Sequence, residues 1–223
     1  MTPQPPSLLR ATAVGLAAGA VLLAAFVALG WRSLDAAWAG IDFNAALFED
    51  FLGPYWQTAA SLGAREWAPA DGYLYPAFGA GLLAPITSLG DAAASWACAA
   101  LMVAATVLLL GSLFTLRPPS SSREAAAVGA TALLAHPVIH GAYWGQAALP
   151  VAALSLAAFA AWSRARPITG GVLLGVAAAI KLTPLVFLAA PAMRRDHDGR
   201  RRALCWSLGV FTACAILIPM LAM

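Results

Sequence analysis

Long apolar runs separated by short polar turns dominate the chain. A helix needs ~20 residues to cross the hydrocarbon core of a bilayer, and lipid favours helices because they pair their own backbone groups. The runs that fit are 8–31, 74–90, 92–116, 124–141, 146–163, 168–193 and 203–222. The pattern predicts an all-α, polytopic transmembrane helix bundle with about seven membrane segments, forming a single integral-membrane domain over residues 1–223.

Composition supports this class and excludes others. Hydrophobic residues make up 61% of the chain and charged residues 10%, whereas a soluble domain carries roughly 25% charge. A water-soluble globule, a disordered chain, a coiled coil and a disulfide scaffold are therefore excluded. The three cysteines lie in apolar runs without metal-ligand spacing, so we expect small buried hydrophobes.

Residues 32–73 form the one long polar stretch, and this stretch is rich in acidic side chains. From 44 to 62 its apolar positions follow a helical period, which predicts a loop carrying an interfacial amphipathic helix. Its aromatic residues suit the headgroup boundary. They are Phe48, Phe51, Tyr55 and Trp56.

The other turns are basic, and this predicts the topology. Arginines cluster at 117–123, 164–166 and 194–202. The positive-inside rule places these turns and Arg10 in the cytoplasm, and the acidic loop outside. The net charge of +3 then reports membrane orientation and not nucleic-acid binding.

This topology constrains the segments between the basic turns. Residues 124–163 become a hairpin with its outer turn at 136–146. Residues 167–193 are too few for two crossings, which predicts two half-helices meeting near 181–184. The Gly- and Pro-rich piece 74–90 becomes a re-entrant dip.

Lys181 is the only lysine, with no other charge within twelve residues on either side. Ionisable groups inside a membrane segment usually mark a functional site; the alternative is a lysine that snorkels from a helix end. Seven full crossings in strict alternation would bury Lys181 mid-membrane and violate the charge rule at 117–123. A helix break at Thr183-Pro184 would expose backbone dipoles beside this cation, which suits a phosphate.

Three further positions are candidates for chemistry. Asp42 follows the first apolar run and suits either a general base or an N-cap for the helix after it. The acidic pair Glu49-Asp50 is more typical of a solvated helix face. His140 lies in an outer turn whose commoner role is an aromatic belt. Pro137 should break any helix between His136 and His140, so we expect no metal site. Gln146 would bond a sugar or phosphate oxygen, or cap the next helix.

The order of these features resembles glycosyltransferase family 87, a family of polyprenyl-phosphate-dependent enzymes with the GT-C fold. The resemblance rests on Asp42-Phe43, on Tyr75-Pro76, on Gly145-Gln146 and on the stretch from Arg166 to Leu185. Ala77 and Ala148 depart from the family pattern, which has a proline and an asparagine there.

The resemblance implies an enzyme that uses a polyprenyl-phosphate sugar donor, such as mannose or arabinofuranose. It would transfer the sugar with inversion to a glycolipid or polysaccharide acceptor at the outer face of the bacterial plasma membrane. Asp42 would be the catalytic base, Lys181 and His140 would bind the donor phosphate, and Tyr75 and Gln146 would bind substrate. No cofactor, metal or nucleic acid is implied.

Members of this family usually have more helices, so the chain resembles their amino-terminal half. It would then be a truncated product, a degenerate copy, or part of a split enzyme in which a second chain supplies the missing helices. Two other classes remain alternatives: a lipid or solute carrier that binds an anion at Lys181, and a catalytically inactive membrane subunit.

Overall fold

The computed structural model describes residues 5–28, 48–65, 68–71, 73, 76–193 and 196–217. All elements in these ranges are helical, which confirms the all-α prediction. The α-helices are α1 Leu8–Ala28, α2 Trp56–Gly63, α3 Ala77–Leu83, α4 Asp91–Leu116, α5 Ser122–Leu134, α6 His136–Trp144, α7 Ala148–Ser163, α8 Pro167–Ile180, α9 Ala189–Ala192 and α10 His197–Thr212. Phe51–Tyr55 and Ala213–Leu217 are π-helical, and Ala84–Leu89 and Thr183–Leu188 are 3₁₀ segments.

Local capping chemistry sets where two of the helices start. The Ser121 hydroxyl accepts the Glu124 backbone N–H at 3.2 Å and begins α5. The Asp196 carboxylate accepts the Gly199 N–H at 3.0 Å and begins α10. Such caps satisfy donors that an α-helix leaves unpaired. The stretch 194–202, predicted as an arginine-rich turn, is therefore already helical from His197.

The longer helices pack in the order α5, α1, α4, α7, α8 and α10. Small residues permit the close contacts between them, as in membrane helix pairs. Gly15 of α1 lies against Gly129 of α5, and Gly170 of α8 lies against the Trp162 ring of α7. On the other face of α8, a Cβ on Gly171 would lie 2.7 Å from the Ala203 carbonyl oxygen of α10.

The basic turns gather at one end of this row. Ala11, Phe114 and Ala125 form one cluster, which brings the start of α1 to the turn between α4 and α5. Trp162 and Ala203 share another cluster, which brings the turn between α7 and α8 beside the start of α10. We call this the basic end, and we call the opposite end, formed by residues 48–65, 136–147 and 180–184, the far end.

Residues 167–193 form two pieces, as the sequence predicts. Helix α8 stops at Ile180, Lys181 has an extended backbone (φ −148°, ψ 129°), and the 3₁₀ segment Thr183–Leu188 follows. Pro184 occupies the first turn of that segment and is buried. Of the predicted dip at 74–90, the described residues 76–90 form the short α3 and the 3₁₀ segment Ala84–Leu89, and the dip itself stays a prediction.

Helix length gives less support to the number of membrane segments. Among the described residues, the stretch Ala92–Leu116 of α4 is long and apolar enough to cross a membrane. A second crossing is counted if α5 and α6, bent by 55° relative to each other, are taken as one span. The remaining apolar helices are shorter, so seven segments stay a prediction.

Two local expectations are wrong. Phe51, Tyr55 and Trp56 are only 3%, 7% and 5% exposed, so they belong to the core of the far end and not to a headgroup boundary. The first four residues of the predicted amphipathic helix, 44–47, lie outside the described ranges. Of the cysteines, Cys98 is buried as expected, but Cys205 on α10 is exposed.

Candidate active site

The turn between α6 and α7 is built around Gly145. Its backbone is left-handed (φ 68°), and the next N–H, that of Gln146, returns to the Gly141 carbonyl oxygen at 2.9 Å. A Cβ at Gly145 would lie 2.7 Å from Phe51 Cβ and 2.9 Å from Cys98 Sγ. Both the backbone conformation and the space therefore require glycine, the residue that tolerates a positive φ without strain.

Gln146, held by this turn, contacts a carboxylate distant in the chain. Its Nε2 donates a hydrogen bond to Asp50 Oδ2 at 2.8 Å in a partly buried setting. Nearby, the Phe48 N–H donates to the Tyr143 carbonyl oxygen at 2.8 Å. These bonds fasten residues 48–50 to the end of α6. Glu49 is exposed, as predicted for a solvated face, whereas Asp50 is partly buried and that prediction is wrong for it. Gln146 does not cap α7, so that alternative is wrong too.

Tyr73 organises the start of α3. Its hydroxyl donates to the Pro76 carbonyl oxygen at 2.8 Å and accepts the Ala80 N–H at 3.2 Å. Its ring meets the Tyr55 ring edge to face at 5.8 Å. Tyr75, the residue chosen from the sequence, lies outside the described residues.

Lys181 lies at the far end, directly after α8. It is half-buried, and its backbone N–H bonds the Ala177 carbonyl oxygen at 3.0 Å. The residue before it, Ile180, lines a cavity that extends into the bundle. The structure therefore places the only lysine where a helix ends beside an internal space.

This far-end cavity has a volume of about 360 Å³ and lies between the π-helical turn, α3, α4, α7 and α8. Its walls are almost entirely apolar; they include Leu82, Leu101, Met102, Leu108, Leu154 and Val176. Phe51, Gly145 and Ile180 also line it, and their chain neighbours are Asp50, Gln146 and Lys181. Asp50, Gln146 and Lys181 do not themselves line the cavity, so it is an apolar chamber that suits a hydrocarbon group, with these polar residues adjacent in the chain to its wall.

The two histidines lie on α6. Pro137 occupies the first turn of this helix, so the predicted break between His136 and His140 is wrong; the break precedes His136 instead. His140 is half-buried, its ring is 6.1 Å from the Trp144 ring, and it does not line the cavity. Nowhere in the described part of the chain do three or more histidine, cysteine or acidic side chains cluster as a metal site would require.

The comparison with protein families decides the class. Residues 73–223 match the family model described as glycosyltransferase family 87. The chain belongs to glycosyltransferase family 87. It is therefore a glycosyltransferase, from a family that is typically membrane-associated, and it acts on a sugar donor and an acceptor. No curated protein and no solved structure matched the chain.

The family 87 match confirms the resemblance drawn from the motifs. It includes His140, Gln146 and Lys181 and begins after Asp42 and Asp50. Asp42 lies outside the residues that the structure describes. Sequence reasoning did not select Asp50 as a site residue. Burial of the aromatic residues directly after it, had it been recognised, would have predicted that Asp50 is partly buried too.

Proposed function

We propose that this family 87 enzyme transfers a sugar, mannose or arabinofuranose, from a polyprenyl-phosphate donor to a glycolipid or polysaccharide acceptor. The supporting observation is the far-end cavity, which has apolar walls and in which the lining residue Ile180 directly precedes the cation Lys181. A polyprenyl-phosphate donor has a hydrocarbon tail that suits the apolar walls and a charged phosphate head that suits the cation. The reaction would take place at the far end of a bundle embedded in the bacterial plasma membrane.

The cavity has room for the part of the tail nearest the phosphate. Its 360 Å³ falls within the range of about 300–1,000 Å³ common to ligand sites. It follows α4 from Leu101 to Leu108, and seven residues of helix rise by ~10 Å. The first isoprene units would fill this length, and the rest of the tail would lie in lipid.

Lys181 would hold the donor phosphate. As the bond between the sugar C1 and the phosphate oxygen breaks, negative charge grows on that oxygen. A fixed cation outside bulk water stabilises such charge strongly. Lys181 follows Ile180, which lines the cavity. A donor whose tail occupies the cavity would therefore have its phosphate near Lys181. His140, on α6 at the same end, is the second candidate for the phosphate.

Asp42 would act as the general base. It would take the proton of the acceptor hydroxyl, and the hydroxyl oxygen would attack C1 opposite the departing phosphate, which inverts the sugar. Asp42 precedes the fastened Phe48 by six residues, a length of chain that reaches at most ~20 Å. Gln146, oriented by Asp50, and Tyr75 would bind sugar hydroxyls.

The orientation follows from the arginines. The turns at 117–123 and 164–166 and the arginine-rich start of α10 collect at the basic end, which the positive-inside rule assigns to the cytoplasm. The far end, with the cavity rim, then faces outward. An active site on that side suits a lipid-linked donor, because no soluble nucleotide sugar has to reach it.

Donor turnover tests this proposal. The purified protein in nanodiscs receives radiolabelled polyprenyl-phosphate mannose or arabinofuranose together with a membrane lipid extract as acceptor. We expect labelled product from the wild type and its loss in Asp42→Asn and Lys181→Gln. Glu49→Gln is the matched control, because it neutralises an exposed acid beside Asp50 and should leave turnover unchanged.

The outcomes separate the assignments. Full turnover by Asp42→Asn would remove the base assignment, and full turnover by Lys181→Gln would remove the phosphate assignment. Transport of unchanged donor across the bilayer, without labelled product, would replace the transferase by a carrier. The absence of both turnover and donor binding in the wild type would contradict the donor class.

A further inference from the structure

A second groove lies at the basic end and shares only Leu108 of α4 with the lining of the far-end cavity. Its volume is about 360 Å³, and it opens between α1, α4, α7 and α8. Its walls are mainly apolar; they include Leu8, Val107, Leu108, Ala157, Ala160 and Leu173. Arg164, Arg166 and Thr169 line its mouth, and none of its lining residues is acidic.

The two arginines are held on one short turn. The Ala165 N–H bonds the Trp162 carbonyl oxygen at 3.1 Å, and the Arg166 N–H bonds the Ala161 carbonyl oxygen at 3.0 Å. This pair of bonds is the Schellman arrangement that ends many helices, with Ala165 in the left-handed position (φ 55°). The turn therefore fixes the backbone of both arginines at the groove.

Two further donors face the same place. Helix α8 begins at Pro167, so its positive end lies beside the arginines. Ser112 lines the groove from α4 and is only 5% exposed. Thr115, which also lines the groove, donates its hydroxyl to its own helix at the Gly111 carbonyl oxygen, 2.8 Å away.

We propose that this groove binds one anionic phospholipid of the cytoplasmic leaflet. Its phosphate would lie between Arg164, Arg166 and the start of α8, and one acyl chain would lie along Val107 and Leu173. Basic pockets between membrane helices on the cytoplasmic side are suited to such headgroups. The apolar walls favour a lipid over free phosphate, which would leave them exposed to water. This inference depends on the membrane placement and not on the transferase activity.

Lipid retention measured by native mass spectrometry tests it. The protein is purified in detergent with equal amounts of phosphatidylglycerol and phosphatidylcholine of the same acyl chains. We expect preferential retention of phosphatidylglycerol by the wild type. Each cation near a lipid surface contributes about fivefold in affinity, so Arg164→Gln with Arg166→Gln should lower retention about 30-fold. Arg117→Gln with Arg123→Gln, at the same end but outside the groove, is the matched control.

A second variant tests the groove without changing charge. A Cβ at Gly111 meets no atom within 4 Å, so Gly111→Leu should fill the groove without disturbing the fold. Gly209→Leu makes the same change on α10, also into open space, and is its control. We expect Gly111→Leu to release the lipid and Gly209→Leu to keep it.

Three results would overturn the proposal. One is equal retention of both lipids by the wild type. Another is unchanged phosphatidylglycerol retention in the double arginine variant or in Gly111→Leu. The third is displacement of the lipid by millimolar inorganic phosphate, because the site would then recognise phosphate alone.

Discussion

A single methyl group at Gly145 should damage both the fold and the site. The Gly145→Ala Cβ would lie 2.7 Å from Phe51 Cβ and 2.9 Å from Cys98 Sγ, whereas carbon atoms in contact prefer about 3.5–4.0 Å. The backbone at φ 68° cannot relax toward an ordinary helical conformation without losing the bond from Gln146 to Gly141. The methyl group therefore pushes the π-helical turn away from α4.

The expected loss in the free energy of unfolding has two parts. A left-handed backbone costs a residue with a Cβ about 1–2 kcal/mol. Overpacking of a close-fitting core costs about 1–3 kcal/mol more. The sum is about 2–5 kcal/mol, and 1 kcal/mol shifts the Tm of a protein of this size by about 2–4 °C. We expect Gly145→Ala to lower the Tm by at least about 4 °C.

Thiol labelling during heating measures this effect. Cys98 is fully buried, and Cys205 and Cys214 are removed as Cys205→Ser and Cys214→Ser, so a maleimide dye reports the opening of the far-end core. Gly111→Ala is the control, because that helical position has open space and should gain about 1 kcal/mol. A Tm for Gly145→Ala equal to that of the parent would refute the contact geometry around Gly145.

Three other predictions follow from single contacts. In a double-mutant cycle of Asp50→Ala and Gln146→Ala, we expect a coupling of about 1–2 kcal/mol in thermal unfolding, because the bond has a charged acceptor; additive losses would show that the bond contributes nothing. Ala165→Gly should raise the Tm by about 2–4 °C, since glycine accepts the left-handed position without strain, and a lower Tm would contradict this. In the donor assay, Lys181→Gln should lower kcat about 100-fold and Lys181→Arg should recover part of it, whereas equal loss in both would point to shape and not charge.

The features that sequence reasoning predicted depend on length and charge. Apolar runs of helical length locate most of the helices, and the arginines at 117–123 and 164–166 mark the end at which those helices turn. The break near Lys181 follows from the same count, because the run 167–193 is too long for one helix and too short for two crossings. Each of these inferences uses only local information along the chain.

The features that it missed depend on contacts between distant segments. The hydrogen bond from Gln146 to Asp50 joins residues 96 positions apart, and no local pattern encodes it. Phe51 is buried because α4 and α7 pack over it. The helical period of its own segment does not reveal this packing and is equally compatible with a helix at the membrane surface. The helix break predicted at Pro137 is wrong because proline can begin a helix as well as end one. Pro137 lies in the first turn of α6.

The unequal lengths of the helices have a consequence for the surrounding bilayer. Helix α4 has 26 residues and spans ~39 Å, whereas α7 with 16 residues and α8 with 14 span only ~24 and ~21 Å. In the orientation proposed above, with the basic end at the inner boundary of a ~30 Å hydrocarbon layer, Lys181 would lie ~10 Å short of the outer boundary. Hydrophobic mismatch would then thin the lipid beside α7 and α8. Sugar transfer should accordingly respond to acyl-chain length, and be faster in bilayers of short-chain lipids than in thick ones.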